Sequence, residues 1–230
     1  MCGRFAMNKE TDELITEFVA SGGDFRDWRP AYSIAPTDPA PIVREWRDEA
    51  GDLHRNLDVA NWGFRPSWAK QGGPSPINAR LEGVASNGMF RSAFTGQRCL
   101  VPMIGYYEWE QQPDGKQPYF IHSGDDFLAA AGLYAARREG DDWKITFTII
   151  TRAARDASGE IHDRMPVFLT ADAWDQWIAP EKIKDSAEAL ATLDASSSAI
   201  ASTMTTYPVD RKLNNVRTAD PEDETLIARI

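Results

Sequence analysis

Between residues 98 and 151 the chain repeats one pattern: short runs rich in β-branched and aromatic residues, cut by turn formers. Runs at 98–104, 119–122, 127–134 and 143–151 are separated by Pro113-Asp-Gly115 and Gly140-Asp-Asp. Two earlier runs, 42–46 and 57–64, bracket a turn around Gly51-Asp52. Such segments read as strands, because branched and aromatic side chains fit a pleated, half-buried surface while Gly and Asp supply the reversals. The strands do not alternate regularly with helices. The pattern predicts an α+β fold with a β-rich, mostly antiparallel, irregular barrel-like sheet and short peripheral helices. One helix is expected over 7–22, with Leu14, Ile15, Phe18 and Val19 on one face and Gly22-Gly23 as its stop. A second is expected over 170–178, capped by Thr170 and ended before Pro180, and a third after an Asp185/Glu188 capping box. Asn78 is expected in a loop leading into a helix, and residues 71–76, rich in Gly and Pro, in a loop flanking the site. No repeat and no domain boundary is visible, so residues 1–230 are read as one domain.

A chain of 230 residues that is 42% apolar and carries eight tryptophans has the material for a sizeable core without disulfide staples. Its two cysteines, Cys2 and Cys99, do not form a secreted framework, and no leader or apolar run of spanning length is present. The expectation is a soluble, cytoplasmic, monomeric protein with no membrane association. The net charge of −10, with 7 Lys and 18 Arg against 35 acidic residues, fits either a salt-adapted cytoplasm or a GC-rich genome. In both cases it argues against tight, purely electrostatic binding of nucleic acid.

Four places carry residue types suited to chemistry. Cys2 follows the initiator methionine, and a small residue there permits removal of Met1. The exposed group would be a 1,2-aminothiol. Its amine, with an ordinary pKa of about 7.7–8.0, is partly neutral and nucleophilic near pH 7. It can form an imine with an aldehyde, and the adjacent thiol can then close a five-membered thiazolidine. In Asn78-Ala-Arg80-Leu-Glu82, Asn78 offers a donor and an acceptor and Arg80 a phosphate-matched fork. Glu108, in Gly105-Tyr-Tyr-Glu108-Trp109, stands among aromatics, where a carboxyl suits a general acid or proton shuttle. His162, in Glu160-Ile-His162-Asp163-Arg164-Met-Pro166, is a proton-transfer candidate at neutral pH. Taken singly, each has an ordinary reading: an arbitrary second residue, a loop, a water-facing glutamate on an edge strand, a turn histidine. Cys99 reads as a buried thiol, and His54 and His122 as structural or exposed. No paired-ligand spacing for zinc and no phosphate-cradling glycine loop occurs, so no metal and no cofactor is expected.

Together these segments resemble the SRAP family, the SOS-response-associated peptidases, from about residue 2 to residue 215. The markers are Met1-Cys-Gly-Arg-Phe5, Ser33-Ile-Ala-Pro-Thr37, Trp62-Gly-Phe-Arg-Pro-Ser-Trp68-Ala-Lys70, Asn78-Ala-Arg-Leu-Glu82, Phe90-Arg-Ser-Ala-Phe94, Arg98-Cys-Leu-Val-Pro102, Gly105-Tyr-Tyr-Glu-Trp109 and Ile161-His-Asp-Arg-Met-Pro-Val167, in the family's order. Met103-Ile104 and Gly83 depart from the family's usual residues. The resemblance implies covalent capture of abasic sites in single-stranded DNA by a thiazolidine link to Cys2, shielding the lesion in the damage response. It implies a lyase-like crosslinking activity beside the peptidase activity for which the family is named. Carried over by motif, Cys2 would be the nucleophile through amine and sulfur. Asn78 would position the amine and opened sugar, and Glu108 and His162 would move protons. Arg4 and Arg80 would grip phosphates, and Trp68 would stack on a base. Two other readings stand beside it: a cysteine-type peptidase using Cys2, Glu108 and His162, and a non-covalent single-strand-binding module.

Overall fold

The computed structural model describes residues 2–9, 11–18, 28–70, 72–124, 127–140, 142–155, 159 and 161–230. Strands β3 (Pro39–Arg47), β4 (Leu53–Trp62), β6 (Arg98–Met103), β9 (Leu128–Glu139) and β10 (Asp142–Ala153) pair in the order β10-β4-β3-β6-β9, and β9 pairs again with β10. Five strands thus close a ring. Thr146 faces both Ala135 of β9 and Asn61 of β4, which requires the two neighbours to lie on opposite edges of β10. Closure removes free edges, the liability of an open sheet. The far end of β10 carries two short strands, β5 (Asn78–Arg80) and β11 (Arg164–Pro166). A second sheet runs β12-β8-β7-β1-β2, from β1 (Phe5–Met7), β2 (Ala31–Ile34), β7 (Gly105–Gln112), β8 (Gly115–His122) and β12 (Thr205–Pro208). Helices α1 (Thr11–Phe18), α2 (Arg91–Gly96), α3 (Ala171–Ile178) and α4 (Ser186–Ala201) lie around these sheets. The architecture is the β-rich, barrel-like α+β fold that the run-and-turn pattern predicts. Pairing is antiparallel except where β10 meets β4 and β5.

The chain leaves the ring at Met103 and enters the second sheet at Gly105. That corner needs glycine, because a Cβ there would stand 2.6 Å from the Ile121 carbonyl oxygen. Strand alternation then splits the apolar residues of β1 between two cores. Phe5 and Met7 join the main core, where Phe5 meets Trp62 edge-on at 5.2 Å, while Ala6 joins Tyr107, Phe120, Val209, Leu213 and Leu226 on the other face. The C-terminal turns at Arg211–Asn214 and Glu224–Ile227 cover that second face. The sheet that carries the N-terminus is therefore packed on both sides.

Several local expectations change. The first helix is Thr11–Phe18, with Leu14 and Phe18 buried; Met7 belongs to β1, and the expected continuation through Val19 to Gly22-Gly23 lies outside the described residues. Asn78 is in a strand, not a loop before a helix, because β10 offers it a partner at Ile149. Glu108 is on a central strand, between β1 and β8, not on an edge. Thr170 precedes α3, but its side chain makes no cap; its hydroxyl pairs with Ser196 Oγ at 2.9 Å, so packing against α4 takes the group that local capping would have used. Asp185 does cap α4, accepting from the N–H groups of Ala187 and Glu188. Residues 72–76 are irregular as expected, and Gln71 lies outside the described residues.

Thr37 stores strain. It sits at φ 79°, a left-handed conformation disfavoured for a β-branched residue. The turn is held from both ends: Asp38 N–H donates to the Ala35 carbonyl (3.0 Å), Thr37 N–H to the Trp62 carbonyl (2.8 Å), and Asn61 Nδ2 to the Thr37 carbonyl (3.1 Å). Glycine would relieve about 1–2 kcal/mol of steric cost against roughly 0.5–1 kcal/mol of added chain entropy. Thr37→Gly should therefore raise the urea midpoint slightly at unchanged slope; a lowered midpoint would contradict the strain.

Candidate functional site

The site is organised by the pairing of β1. Phe5 faces Tyr106, Ala6 faces Gly105, and the N–H of Tyr107 donates to the Arg4 carbonyl at 2.9 Å. Continued by one more residue, this register sets Glu108 across from Gly3, beside Cys2. Alternation puts Glu108 on the same face as Tyr106, toward the main core, which also holds Cys2. Cys2 is fully buried and Glu108 is 2% exposed.

Asn78 reaches the same place from the ring. Its strand pairs in parallel with β10, and Nδ2 donates to the Cys2 carbonyl at 2.8 Å. The opposite end of that amide, Oδ1, is buried and accepts no hydrogen bond among the described residues. A buried acceptor left open costs on the order of 1–3 kcal/mol. The amide is thus pinned by one atom and presents the other.

His162 stands just before β11, which pairs with β10 on the edge opposite β5. Its Nδ1 accepts the Arg164 N–H at 3.0 Å, which leaves the ring proton on Nε2. Asp163 Oδ1 lies 3.1 Å from the same nitrogen and pairs with it only when the ring is charged. The pKa is lowered from the ordinary histidine value, first by burial and next by the positive charge of the chain's amino terminus, so the ring is neutral at pH 7. Of the motif expected around it, Glu160 lies outside the described residues.

Three DNA-contact candidates are placed differently from one another. Trp68 is 61% exposed, in the turn closed by the bond from Ala69 N–H to the Pro66 carbonyl. Arg80 is exposed at the end of β5. Arg4 is 6% exposed, more covered than expected of a phosphate ligand, and its Nε has no hydrogen-bond partner among the described residues. Its Nη1 donates to Ser33 Oγ (2.9 Å) and the Leu213 carbonyl (3.4 Å), and its guanidinium lies 5.7 Å from the Trp109 ring. Alternation explains this: Arg4 falls on the face of β1 opposite Phe5, under the C-terminal cover. Burial lowers its pKa.

Sequence reasoning quoted Glu82 and Arg164 in two motifs but gave neither a role. They form a bidentate pair, Arg164 Nη1 to Glu82 Oε1 at 2.6 Å and Nη2 to Oε2 at 3.0 Å, and Nη2 also donates to the Thr151 carbonyl at 2.6 Å. The signal was there as opposite charges at fixed places in the two segments that flank β10. Cys99 is a fully buried thiol whose pKa is pushed up by burial, remote from this chemistry. Among the described residues no cluster of three or more His, Cys, Asp or Glu is gathered to hold a metal ion, and no helix is long and apolar enough to cross a membrane.

The family model described as SOS response associated peptidase (SRAP) matches residues 1–216. The chain belongs to the SRAP family. This SRAP protein is 33% identical to the abasic site processing protein YedK of Escherichia coli, over 96% of this chain and 98% of that one. It is 33% identical to the abasic site processing protein YoqW of Bacillus subtilis over 79% of this chain and 81% of that one. It is 27% identical to the abasic site processing protein HMCES of Xenopus tropicalis, over 96% of this chain and 77% of that one. Among solved structures, a protein from Bacteroides thetaiotaomicron aligns over the full length of both chains with a TM-score of 0.79 at 21% identity, which speaks to the fold alone. The SRAP match ends at residue 216, whereas the C-terminal cover of the second core continues through Leu226.

Proposed function

We propose that this SRAP protein captures abasic sites in single-stranded DNA covalently through Cys2, once Met1 has been removed. The observation that carries the reading is the setting of Cys2: a residue next to a chain terminus is fully buried, its carbonyl held by Asn78 Nδ2. Chain ends are ordinarily loose. Cys2 is held instead, and names of relatives that match nearly end to end supply the substrate class, the abasic site.

The chemistry follows from the groups present. An abasic sugar opens to an aldehyde, which intact DNA lacks. The Cys2 amine attacks the aldehyde carbon, and the resulting carbinolamine loses water to give an imine. The thiol then adds to the imine carbon, its proton passing to nitrogen. One aldehyde and one aminothiol give a thiazolidine and one water. His162, neutral with its proton on Nε2, can hydrogen-bond the ring oxygen of the sugar as it is released, while the proton of the hemiacetal hydroxyl passes to that oxygen. Glu108, beside the amine, can take up and return the protons of the carbinolamine step. Asn78 Oδ1, buried and open, would accept from the amine or from a hydroxyl of the opened sugar, regaining the hydrogen bond it lacks. Arg80 and Trp68, both exposed, would meet phosphate and base, and Arg4 would brace β1 from behind. We read residues 1–230 as one domain. All four central residues come from one chain, so a monomer suffices, and a DNA substrate puts its work in the compartment that holds DNA.

Mixing the mature protein with a single-stranded oligonucleotide containing one abasic site should give a slow band that survives detergent and heat. An intact oligonucleotide should give none. A complex seen only under native conditions would mean a non-covalent binding module. Hydrolysis of peptide substrates dependent on Cys2, without any heat-stable band, would mean a cysteine peptidase.

A further inference from the structure

The Glu82–Arg164 pair lies between the two segments that carry Asn78 and His162. Asn78 is four residues before Glu82 on the β5 side of β10; His162 is two residues before Arg164 on the β11 side. The Thr151 carbonyl of β10 joins them, accepting the Leu81 N–H at 2.8 Å and Arg164 Nη2 at 2.6 Å. Arg164 also donates its backbone N–H to His162 Nδ1. Its side chain is 13% exposed, while that of Glu82 is 56% exposed. An arginine this well covered needs a counter-charge. Its neighbours raise the demand: Arg152 and Arg155 both lean on Asp194, at 2.8 and 3.6 Å, and Arg80 also acts on Glu82, so among the described residues of this cluster two carboxylates face four guanidiniums. Removing Glu82 would leave one carboxylate against four cations.

We propose that Glu82 is a positioning residue of the capture site, clasping Arg164 so that the turn at 161–164 stays closed and holds the His162 ring by its Nδ1 atom. Its exposed carboxylate acts through Arg164, which it grips with both oxygens. Pairing with that guanidinium holds the Glu82 carboxyl below its ordinary pKa, so the clasp stays charged at neutral pH. The groups that act on His162 are the chain's amino terminus, Asp163 and Arg164, and burial outweighs each of them. Opening the turn hydrates the ring and relieves the largest cause of its depressed titration. The opposing effects, loss of the Arg164 backbone hydrogen bond and stronger repulsion from an Arg164 without its partner, both rank below burial among the causes. The net movement is upward.

Two readouts test this, and only the second rests on the capture reading. The first follows His162 titration by NMR in the free protein. Glu82→Gln should move it up toward the ordinary histidine value. Arg164→Lys should do the same, because it keeps the charge balance and breaks only the two-pronged geometry. The second is the rate of abasic-site capture, which should fall about tenfold or more for Glu82→Gln, as misplacement of a reacting group does, with affinity for intact single strands retained. Circular dichroism confirms that each variant is folded. Unchanged titration and unchanged capture in folded variants would overturn the clasp, and so would a downward shift, which would mean that Glu82 acts on His162 by charge alone. If the wild type captures nothing, the functional reading fails, while the titration result still decides the clasp.

Discussion

Cys2→Ala abolishes heat-stable capture of an abasic oligonucleotide and leaves the protein folded. Both bonds of the thiazolidine are made by the Cys2 residue, one through its amine and one through its sulfur, and alanine keeps only the amine. The buried site loses one sulfur atom, a packing cost of about 1 kcal/mol by comparison with a buried methylene, small against the 5–15 kcal/mol that is typical of a domain. Cys2→Ser separates the two bonds. Its amine still forms an imine, but a hydroxyl closes the ring far less well than a thiol, so borohydride should trap a crosslink that heat alone destroys. Denaturing gels with and without borohydride measure both. Undiminished heat-stable capture by Cys2→Ala would remove Cys2 from the account.

Glu108→Gln and His162→Ala each slow capture by about 10²–10⁴-fold, the range of general acid–base groups, without weakening affinity for intact single strands. The pH profile distinguishes the two. The His162 pKa is depressed, first by burial, so the ring stays neutral below the ordinary histidine value of about 6.5 and gains its proton only as pH falls further. Protonation of the Cys2 amine slows capture in every variant as pH falls below about 7.7–8.0, and the further limb assigned to His162 should lie below about pH 6.5 and vanish in His162→Ala. Stability follows the same sign. The folded state binds this proton less readily than the unfolded chain, so the contribution is present above the unfolded pKa and is lost as pH falls through the folded one. Rapid-mixing capture rates across the acid range measure the limb. The limb below about pH 6.5, if retained in His162→Ala, would belong to another group.

What was legible in the sequence was what depends on local pattern. The strands of the ring announce themselves because their branched and aromatic runs are long and their turns carry Gly or Asp, as at Gly51-Asp52 and Pro113-Asp-Gly115. The motif residues Cys2, Asn78, Glu108 and His162 were legible as a resemblance, and two of them have geometry that was not. Asn78 forms a strand only because β10 lies beside it, and three residues carry too little propensity to say so. Glu108 becomes central because β1, far away in sequence, pairs with its strand. The burial of Arg4 was not legible for a related reason. Its charge suggests a phosphate, but whether a side chain on β1 faces the site or the C-terminal cover depends on register, and one residue's shift reverses it. The Glu82–Arg164 clasp spans 82 residues and appears only when β5 and β11 are seen on the two edges of one strand.

The central claim is that the reacting group is the free aminothiol of Cys2, and the mass of the crosslinked peptide tests it most directly. The crosslinked species is digested with nuclease and protease, and its N-terminal peptide is measured by tandem mass spectrometry. The account predicts a peptide that begins at Cys2 and carries the sugar remnant with the loss of one water. It predicts no adduct on chains that retain Met1, whose Cys2 nitrogen is an amide. An adduct on a lysine, or one on Cys2 in chains that still carry Met1, would contradict it.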